Sequence, residues 1–145
     1  MNILVCIKQV PDTTEIKIDP VKHTLIREGV PSIVNPFDAC ALEMAVRLKE
    51  KEGGKVIVIS MGPAQAKNAL KECLAVGADQ AFLVTDRAFG GSDTLATSYI
   101  LSRAIAAVEA KTGEKFDLIF CGNRLLTVIQ HRLDLRSQST WICLM

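Results

Sequence analysis

The sequence predicts a Rossmann-like α/β fold, an open parallel sheet with helices on both faces. Short, β-branched apolar runs alternate along the chain with longer stretches that have helical periodicity. Runs such as KVIVIS are continuously apolar, which is typical of parallel strands covered on both faces. A regular strand–helix alternation of this kind requires right-handed crossovers and one shared sheet. The 145 residues, 49% of them apolar, suffice for a single core.

The elements follow in order along the chain. We expect strands near residues 2–8, 55–60, 80–85 and 117–121, and helices near residues 37–51, 63–76 and 92–111. Asn35 is expected to cap the first helix, Pro63 to lie in the first turn of the second, and Ser92 to cap the third. Between the first strand and the first helix, residues 16–19 and 24–27 alternate apolar and polar positions. This alternation predicts a small antiparallel excursion.

Composition excludes several classes of function. A net charge of +1 provides no field for nucleic acid. Neither a signal peptide nor an apolar run of membrane-spanning length is apparent, so we expect no membrane insertion. The 5 cysteines show no CxxC spacing, which favours a reducing cytoplasm and argues against a metal site. The 2 histidines have no acidic partner at a suggestive spacing, and we expect no catalytic residues.

A binding site is expected beyond the carboxyl ends of the strands. Four segments should converge there: Cys6 to Val10, Asn35 to Asp38, Met61 to Pro63, and the loop after Cys121. None contains GxGxxG or a P-loop motif. By spacing alone, each is equally an ordinary helix cap or strand-to-helix turn.

Taken together, the motifs are more specific than any one of them. VCIKQVPD, VNPFDACALEMAVRLKE, VIVISMGPAQAKNALKECLAVGADQAFLV and DLIFCGN resemble, in order and spacing, the β subunit of electron transfer flavoproteins. The resemblance covers residues 1 to about 123, nearly all of the N-terminal half of that family's chain. It implies an adenine-nucleotide-binding domain that holds AMP, or FAD in electron-bifurcating members. It also implies an electron-transfer component rather than a catalyst by itself.

The resemblance further implies a set of cofactor-binding residues and partners. The residues around the nucleotide would be Cys6, Asn35, Pro36, Phe37, Asp38, Met61, Gly122 and Asn123. Backbone amides at helix starts would suit adenine edges and phosphates. The partners would be an electron transfer flavoprotein α subunit and, through that complex, acyl-CoA-type dehydrogenases.

The chain departs from the family pattern after CGN. The family continues with a phosphate-binding stretch like QAIDGDTAQVGP, whereas this chain continues RLLTVIQHRLDL. Codons chosen for Arg124 onward, AGG CTA TTG ACG GTG ATA, become CAG GCT ATT GAC GGT GAT when one C is placed in front. These codons encode QAIDGD, the family-like continuation.

One lost base near Asn123 would therefore explain the tail. We expect an α/β domain over residues 1–123, an out-of-frame tail over residues 124–145, and a fold that is incomplete at the C-terminus. Nucleotide affinity should then be weak or absent. Three alternatives stay open: a stand-alone adenine-nucleotide-binding module, a non-functional fragment, and a lineage-specific C-terminal helix in place of the tail.

Overall fold

A computed structural model describes residues 1–12 and 32–122, together with the backbone of residues 140–143. The strands are β1 (Asn2–Cys6), β2 (Gln9–Pro11), β3 (Ser32–Val34), β4 (Lys55–Met61), β5 (Gln80–Val84), β6 (Leu118–Cys121) and β7 (Thr140–Cys143). The helices are α1 (Pro36–Glu52), α2 (Lys67–Val76) and α3 (Thr94–Thr112). Two short 3-10 turns, Ala64–Ala66 and Arg87–Phe89, precede α2 and α3.

The sheet is parallel, with the strand order β5-β4-β1-β6-β7 within the described residues. From β1 the chain builds outward through β4 to β5, then returns past β1 to form β6 on the other side. This reversal makes the gap between β1 and β6 the topological switch point of the sheet. The predicted Rossmann-like fold class and its four strands are confirmed.

Strand β7 was not predicted. It pairs with β6 in parallel register, Leu118 opposite Thr140 and Cys121 opposite Cys143. The rest of the expected tail, residues 124–139 and 144–145, lies outside the described residues. The two alternating segments at residues 16–19 and 24–27 also lie outside them.

A short antiparallel pair carries the chain from the end of β1 to the start of α1. In it, Gln9 lies opposite Val34 and Pro11 opposite Ser32. At its base the backbone N–H of Asn35 donates to the carbonyl of Lys8 at 2.9 Å. The start of α1 is thereby held against the carboxyl end of β1.

Alternate residues of the central strands pack into the core on opposite faces of the sheet. Val56 and Val58 face α1 and α2, while Ile57 and Ile59 face α3. All four side chains are buried. This explains why KVIVIS is apolar throughout, because neither face of β4 meets water.

Helix boundaries agree with the sequence where the cap chemistry is unambiguous. Asn35 caps α1 as predicted, its side-chain oxygen accepting from the Phe37 N–H at 2.9 Å. The prediction for α3 is wrong: Asp93 is its cap and accepts from the Ala96 N–H at 2.7 Å. The Ser92 hydroxyl instead donates to the Phe89 carbonyl, which closes the preceding 3-10 turn.

The start of α2 also differs from the prediction. Pro63 precedes the 3-10 turn Ala64–Ala66, and α2 itself begins at Lys67. None of the helices in the described part of the chain is both long and apolar enough to cross a membrane.

Candidate functional site

The switch point brings together two chain ends that are far apart in sequence. Cys6 and Cys121 are opposite each other in the parallel register of β1 and β6. Beyond them the chain continues as Ile7-Lys8 on one side and Gly122 on the other, and the first turn of α1 packs over both. In open parallel sheets this crevice is the usual place for a ligand.

Asp38 joins the two chain ends through its carboxylate. Oδ2 accepts from the backbone N–H of Lys8 at 2.8 Å, and Oδ1 accepts from the backbone N–H of Gly122 at 3.1 Å. The residue is only 8% exposed. A single side chain from α1 therefore bridges β1 and β6 where they separate.

Burial dominates the electrostatics of this carboxylate. Desolvation raises the pKa of Asp38 above its ordinary value, although the amides of Lys8 and Gly122 and the charge of Lys8 act in the opposite direction. The raised pKa means that the free-energy cost of removing the carboxylate from water exceeds the stabilisation that its hydrogen bonds and the charge of Lys8 provide.

Gly122 has no room for a side chain. A Cβ at this position would lie 2.1 Å from Asp38 Oδ1 and 2.8 Å from the Asp38 backbone nitrogen. Both distances are far below van der Waals contact, so the backbone of Gly122 packs directly on the first turn of α1. Only glycine permits this approach.

The amides at the start of α1 are used within the chain. Pro36 has no N–H, the Phe37 N–H donates to the Asn35 side chain, and the Ala39 N–H donates to the Asn35 carbonyl. Together with the two amides bound by Asp38, these groups are already satisfied. The Phe37 and Ala39 amides, like the two amides bound by Asp38, thus have acceptors within the chain, while nucleotide binding at the start of α1 stays a prediction.

The predicted site residues divide into three groups. Asn35, Pro36, Phe37, Asp38 and Gly122 converge at the switch point, with Cys6 buried beneath it. Met61 ends β4 on the same edge, beside β1, and packs partly against the core on the α3 face. Asn123 lies outside the described residues. Sequence reasoning missed the backbone N–H of Lys8, since a backbone donor leaves no trace in residue type.

Two of these residues differ sharply in accessibility. The side chain of Phe37 is 57% exposed, although it belongs to the first turn of a helix that packs on the sheet. Cys6 is buried, and its thiol, together with desolvation, raises the pKa of the neighbouring Cys121 thiol. The Cys121 thiol is therefore protonated and unreactive, while the Phe37 ring is open to a ligand.

The architecture defines the class as a doubly wound open α/β sheet with its crevice at the β1–β6 switch point. It is similar to the structure of a universal stress protein from Archaeoglobus fulgidus, with a TM-score of 0.52 over 100% of this chain and 93% of that one. Sequence identity in that comparison is 13%, so the likeness concerns the fold alone.

The sequence places the chain within a family. Residues 22–128 match the electron transfer flavoprotein domain, and the chain belongs to that family. It is 61% identical over 126 residues to the electron transfer flavoprotein subunit beta of Thermoanaerobacterium thermosaccharolyticum, covering 87% of this chain and 46% of that protein. It is 57% identical over 127 residues to subunit CarD of the caffeyl-CoA reductase-Etf complex of Acetobacterium woodii, covering 87% and 47%.

The resemblance to electron transfer flavoprotein β subunits is thus confirmed. The chain spans about half the length of the curated relatives that it matches. The family match ends at residue 128, close to the point where the sequence departs from the family pattern.

Proposed function

We propose that this chain is the nucleotide-binding domain of an electron transfer flavoprotein β-type carrier subunit. In this proposal the carboxyl end of the sheet holds an adenine nucleotide, AMP or FAD. The convergence of residues 35–38 and Gly122 at the switch point carries the proposal, because it puts the family's motif residues where open α/β sheets bind ligands. Membership of the family supports it.

The described edge suits the uncharged part of such a nucleotide better than its phosphates. The amides of Lys8 and Gly122 are occupied by Asp38, whose own charge repels phosphate. The exposed ring of Phe37 instead offers a flat apolar surface on which a base can lie. We therefore assign the adenosine moiety to this edge and the phosphates to the chain that follows Gly122.

The tail bears directly on that second half of the site. We propose that residues 124–145 are translated from a shifted reading frame and replace the stretch QAIDGDTAQVGP, whose glycine amides and threonine hydroxyl would meet the phosphates. The chain then retains the surface for the adenosine moiety but lacks its phosphate donors. Its affinity for AMP and FAD should accordingly be weak or absent.

Electron transfer is proposed for the assembled carrier. A bound flavin supplies the redox chemistry, and the protein supplies orientation and tuning. The proposed partner is an electron transfer flavoprotein α subunit and, through it, an acyl-CoA-type dehydrogenase. The name of the Acetobacterium woodii relative, a subunit of a caffeyl-CoA reductase-Etf complex, supports this partner class.

The proposed compartment is the reducing cytoplasm. Cys6, Cys73 and Cys121 are buried as unpaired thiols, and Cys40 is an unpaired thiol at the surface, which such a compartment would preserve. The chain spans about half the length of the curated relatives that it matches, and we propose that productive pairing and electron transfer need a subunit of the relatives' full length.

Calorimetric titration tests the nucleotide site. AMP and FAD are titrated into this chain and into a chain in which residues 124–145 are replaced by the family-like continuation beginning QAIDGDTAQVGP. We expect binding in the micromolar range, about −8 kcal/mol, only for the second chain. Inorganic phosphate serves as the control ligand and should bind neither chain measurably. Equal affinity in both chains would reject the tail hypothesis, and absence of binding in both would reject the nucleotide site.

A further inference from the structure

Asp38 occupies the place where an open α/β sheet usually binds the anionic group of its ligand. Such groups bind to the first backbone amides beyond the strands and at the start of a helix. Here the corresponding amides, those of Lys8 and Gly122, donate at 2.8 and 3.1 Å to the two oxygens of one internal carboxylate. The crevice is therefore filled by an anion of the chain itself.

This carboxylate also holds Gly122, the residue that directly follows β6. Gly122 is the last described residue before the segment that departs from the family pattern, and its N–H is held by a side chain 84 positions earlier. Its backbone lies so close to the first turn of α1 that a Cβ would be 2.9 Å from the Phe37 carbonyl carbon. The position of the Gly122 backbone is consequently set by its contact with Asp38 and the first turn of α1.

We infer that Asp38 is a positioning and specificity-determining residue, an internal anion that fixes Gly122 at the carboxyl end of β6 and keeps phosphate out of the β1–β6 crevice. Its effect on a nucleotide rests on the proposed function. The internal anion site itself is a property of this chain and can be tested without any nucleotide. If the carboxylate had only a structural role, its removal would destabilise the fold but would leave no site specific for an anion.

Chemical rescue distinguishes the two roles. Asp38→Ala removes the carboxylate and leaves a space of matching size, which formate can enter. Asp38→Asn is the matched control, since its amide keeps that space filled. The amide resonances of Lys8 and Gly122 and the unfolding temperature are followed in the full chain while formate is added, with chloride at equal ionic strength as the reference.

For Asp38→Ala we expect formate to return both amide resonances toward their wild-type positions. It should also raise the unfolding temperature by about 2 °C more than chloride once the site is half-saturated. Neither effect should occur in the wild-type chain or in Asp38→Asn. A folded Asp38→Ala that does not respond to formate, or an equal response of Asp38→Asn, would overturn the inference.

The wild-type chain provides a second test that does not depend on the folding of Asp38→Ala. Among the residues that the structure describes, the ionisable groups that interact with Asp38 are Lys8, Cys73 and Cys121. Burial raises the pKa of Cys73 to about 11, and the hydrogen bond with Cys6 together with burial raises that of Cys121. Neither thiol therefore titrates in the acid range, and an inflection there that Asp38→Asn removes belongs to Asp38. The amides of Lys8 and Gly122 should share one such inflection above the ordinary range of Asp, and Asp38→Asn should lose it. Different inflections for the two amides would contradict the inference that both are bound by Asp38.

These readouts separate the inference from the proposed function. Failure of AMP and FAD to bind would reject the nucleotide site and leave the formate response unaffected. Absence of the formate response would reject the role of Asp38 and leave nucleotide binding by the site open to the calorimetric test.

Discussion

The two ends of the sheet use aspartate in different ways. At the amino end, Asp79 accepts from the Val56 N–H at 2.7 Å while its own N–H donates to the Val56 carbonyl at 2.8 Å. Asp117 forms the same reciprocal pair with Asn2, at 2.7 and 2.9 Å. Each of these residues immediately precedes a strand and closes its pairing with the neighbouring one. At the amino end, aspartate thus fixes strand register.

At the carboxyl end, Asp38 comes from a helix and binds two amides that belong to different strands' ends. It is buried, whereas the side chain of Asp79 is 39% exposed and is paired with Lys49 at 3.0 Å. Asp79 can remain partly exposed because it only joins two adjacent strands, β4 and β5. A residue that fills a crevice must be desolvated, and among these aspartates only Asp38, at the carboxyl end of the sheet, is buried in this way.

The motifs that carry the family resemblance fall into two groups, those that stabilise the fold and those that lie at the crevice. The motif GAD consists of Gly77, Ala78 and Asp79. Gly77 ends α2 with a positive φ of 139°, Ala78 is buried, and Asp79 joins β5 to β4 through the Val56 N–H. A Cβ on Gly77 would lie 3.0 Å from the side chain of Val46. This motif is explained by stability, while NPFD and the first two residues of CGN, Cys121 and Gly122, lie at the crevice.

The largest effect is expected from Gly122→Ala. The added Cβ meets Asp38 atoms at 2.1 and 2.8 Å, so either the bridge or the first turn of α1 must move. We expect a loss of about 3 kcal/mol in the free energy of unfolding, measured by urea denaturation. Gly62→Ala is the control, because the one close contact of its Cβ among the described residues would be with the Ala66 Cβ at 3.3 Å. Equal losses in both variants would show that the crevice is not tightly packed.

A smaller loss is expected from Asp79→Ala at the amino end. The substitution leaves the Val56 N–H without its side-chain acceptor and Lys49 without its carboxylate. Because the carboxylate is partly exposed and screened, we expect about 1 kcal/mol. Nucleotide affinity of the chain with the restored continuation should be unchanged. A loss of affinity would mean that the two ends are not independent.

The two carboxylates should give opposite pH dependence. Burial alone would raise the pKa of Asp79, but the Val56 amide and Lys49 lower it below its ordinary value. Its stabilising contribution is present above the unfolded pKa, about 4, and is lost as the pH falls through the lowered folded pKa. The pKa of Asp38 is raised, so its contribution is present below that same unfolded value and is lost as the pH rises through the folded pKa.

Urea denaturation of the wild-type chain, Asp38→Asn and Asp79→Asn across the acid range measures this contrast. The wild-type advantage over Asp79→Asn should shrink as the pH falls. The free energy of unfolding of the wild-type chain, relative to that of Asp38→Asn, should decline as the pH rises. Parallel pH profiles for the two variants would contradict the assignment of one desolvated and one paired carboxylate.

The smallest effect is expected from deleting residues 124–145. If this segment is read from a shifted frame, it was not selected to pack here, and its removal should change the free energy of unfolding by less than about 1 kcal/mol. A shorter deletion of residues 144–145, which spares β7, is the control. A loss of several kcal/mol, on the scale of a removed core element, would show that β7 is a genuine edge of the sheet and that the frameshift hypothesis is wrong.

Much of the fold could be predicted because its signals are local. The β-branched run of β4 and the Asn35-Pro36 start of α1 each depend on adjacent residues. The cap of α3 could not be predicted, since Ser92 and Asp93 both suit that role and only the preceding turn decides between them.

The buried face of α1 was predicted only in part. Phe37, Ala41, Met44 and Ala45 recur at helical spacing in the sequence, which predicts one apolar face, but Phe37 and Met44 are 57% and 47% exposed. The helix instead buries Ala41, Leu42 and Ala45, because small residues allow it to approach the sheet closely.

The site residues were predicted as a group, but their contacts were not. Asp38 could be assigned to the first turn of α1 from sequence, where it complements the helix dipole. Its two partners are backbone amides 30 and 84 positions away, and no residue type encodes them.

The most direct test maps AMP onto the two ends of the sheet. Backbone amide resonances of the chain with the restored continuation are recorded as AMP is added. Shifts are expected for the amides of Cys6 to Lys8, Asn35, Phe37, Asp38, Met61 and Gly122, with those of Val56 and Asp79 at the amino end unchanged. Shifts confined to the amino end, or saturable binding that leaves the carboxyl-end amides unmoved, would contradict the proposed site.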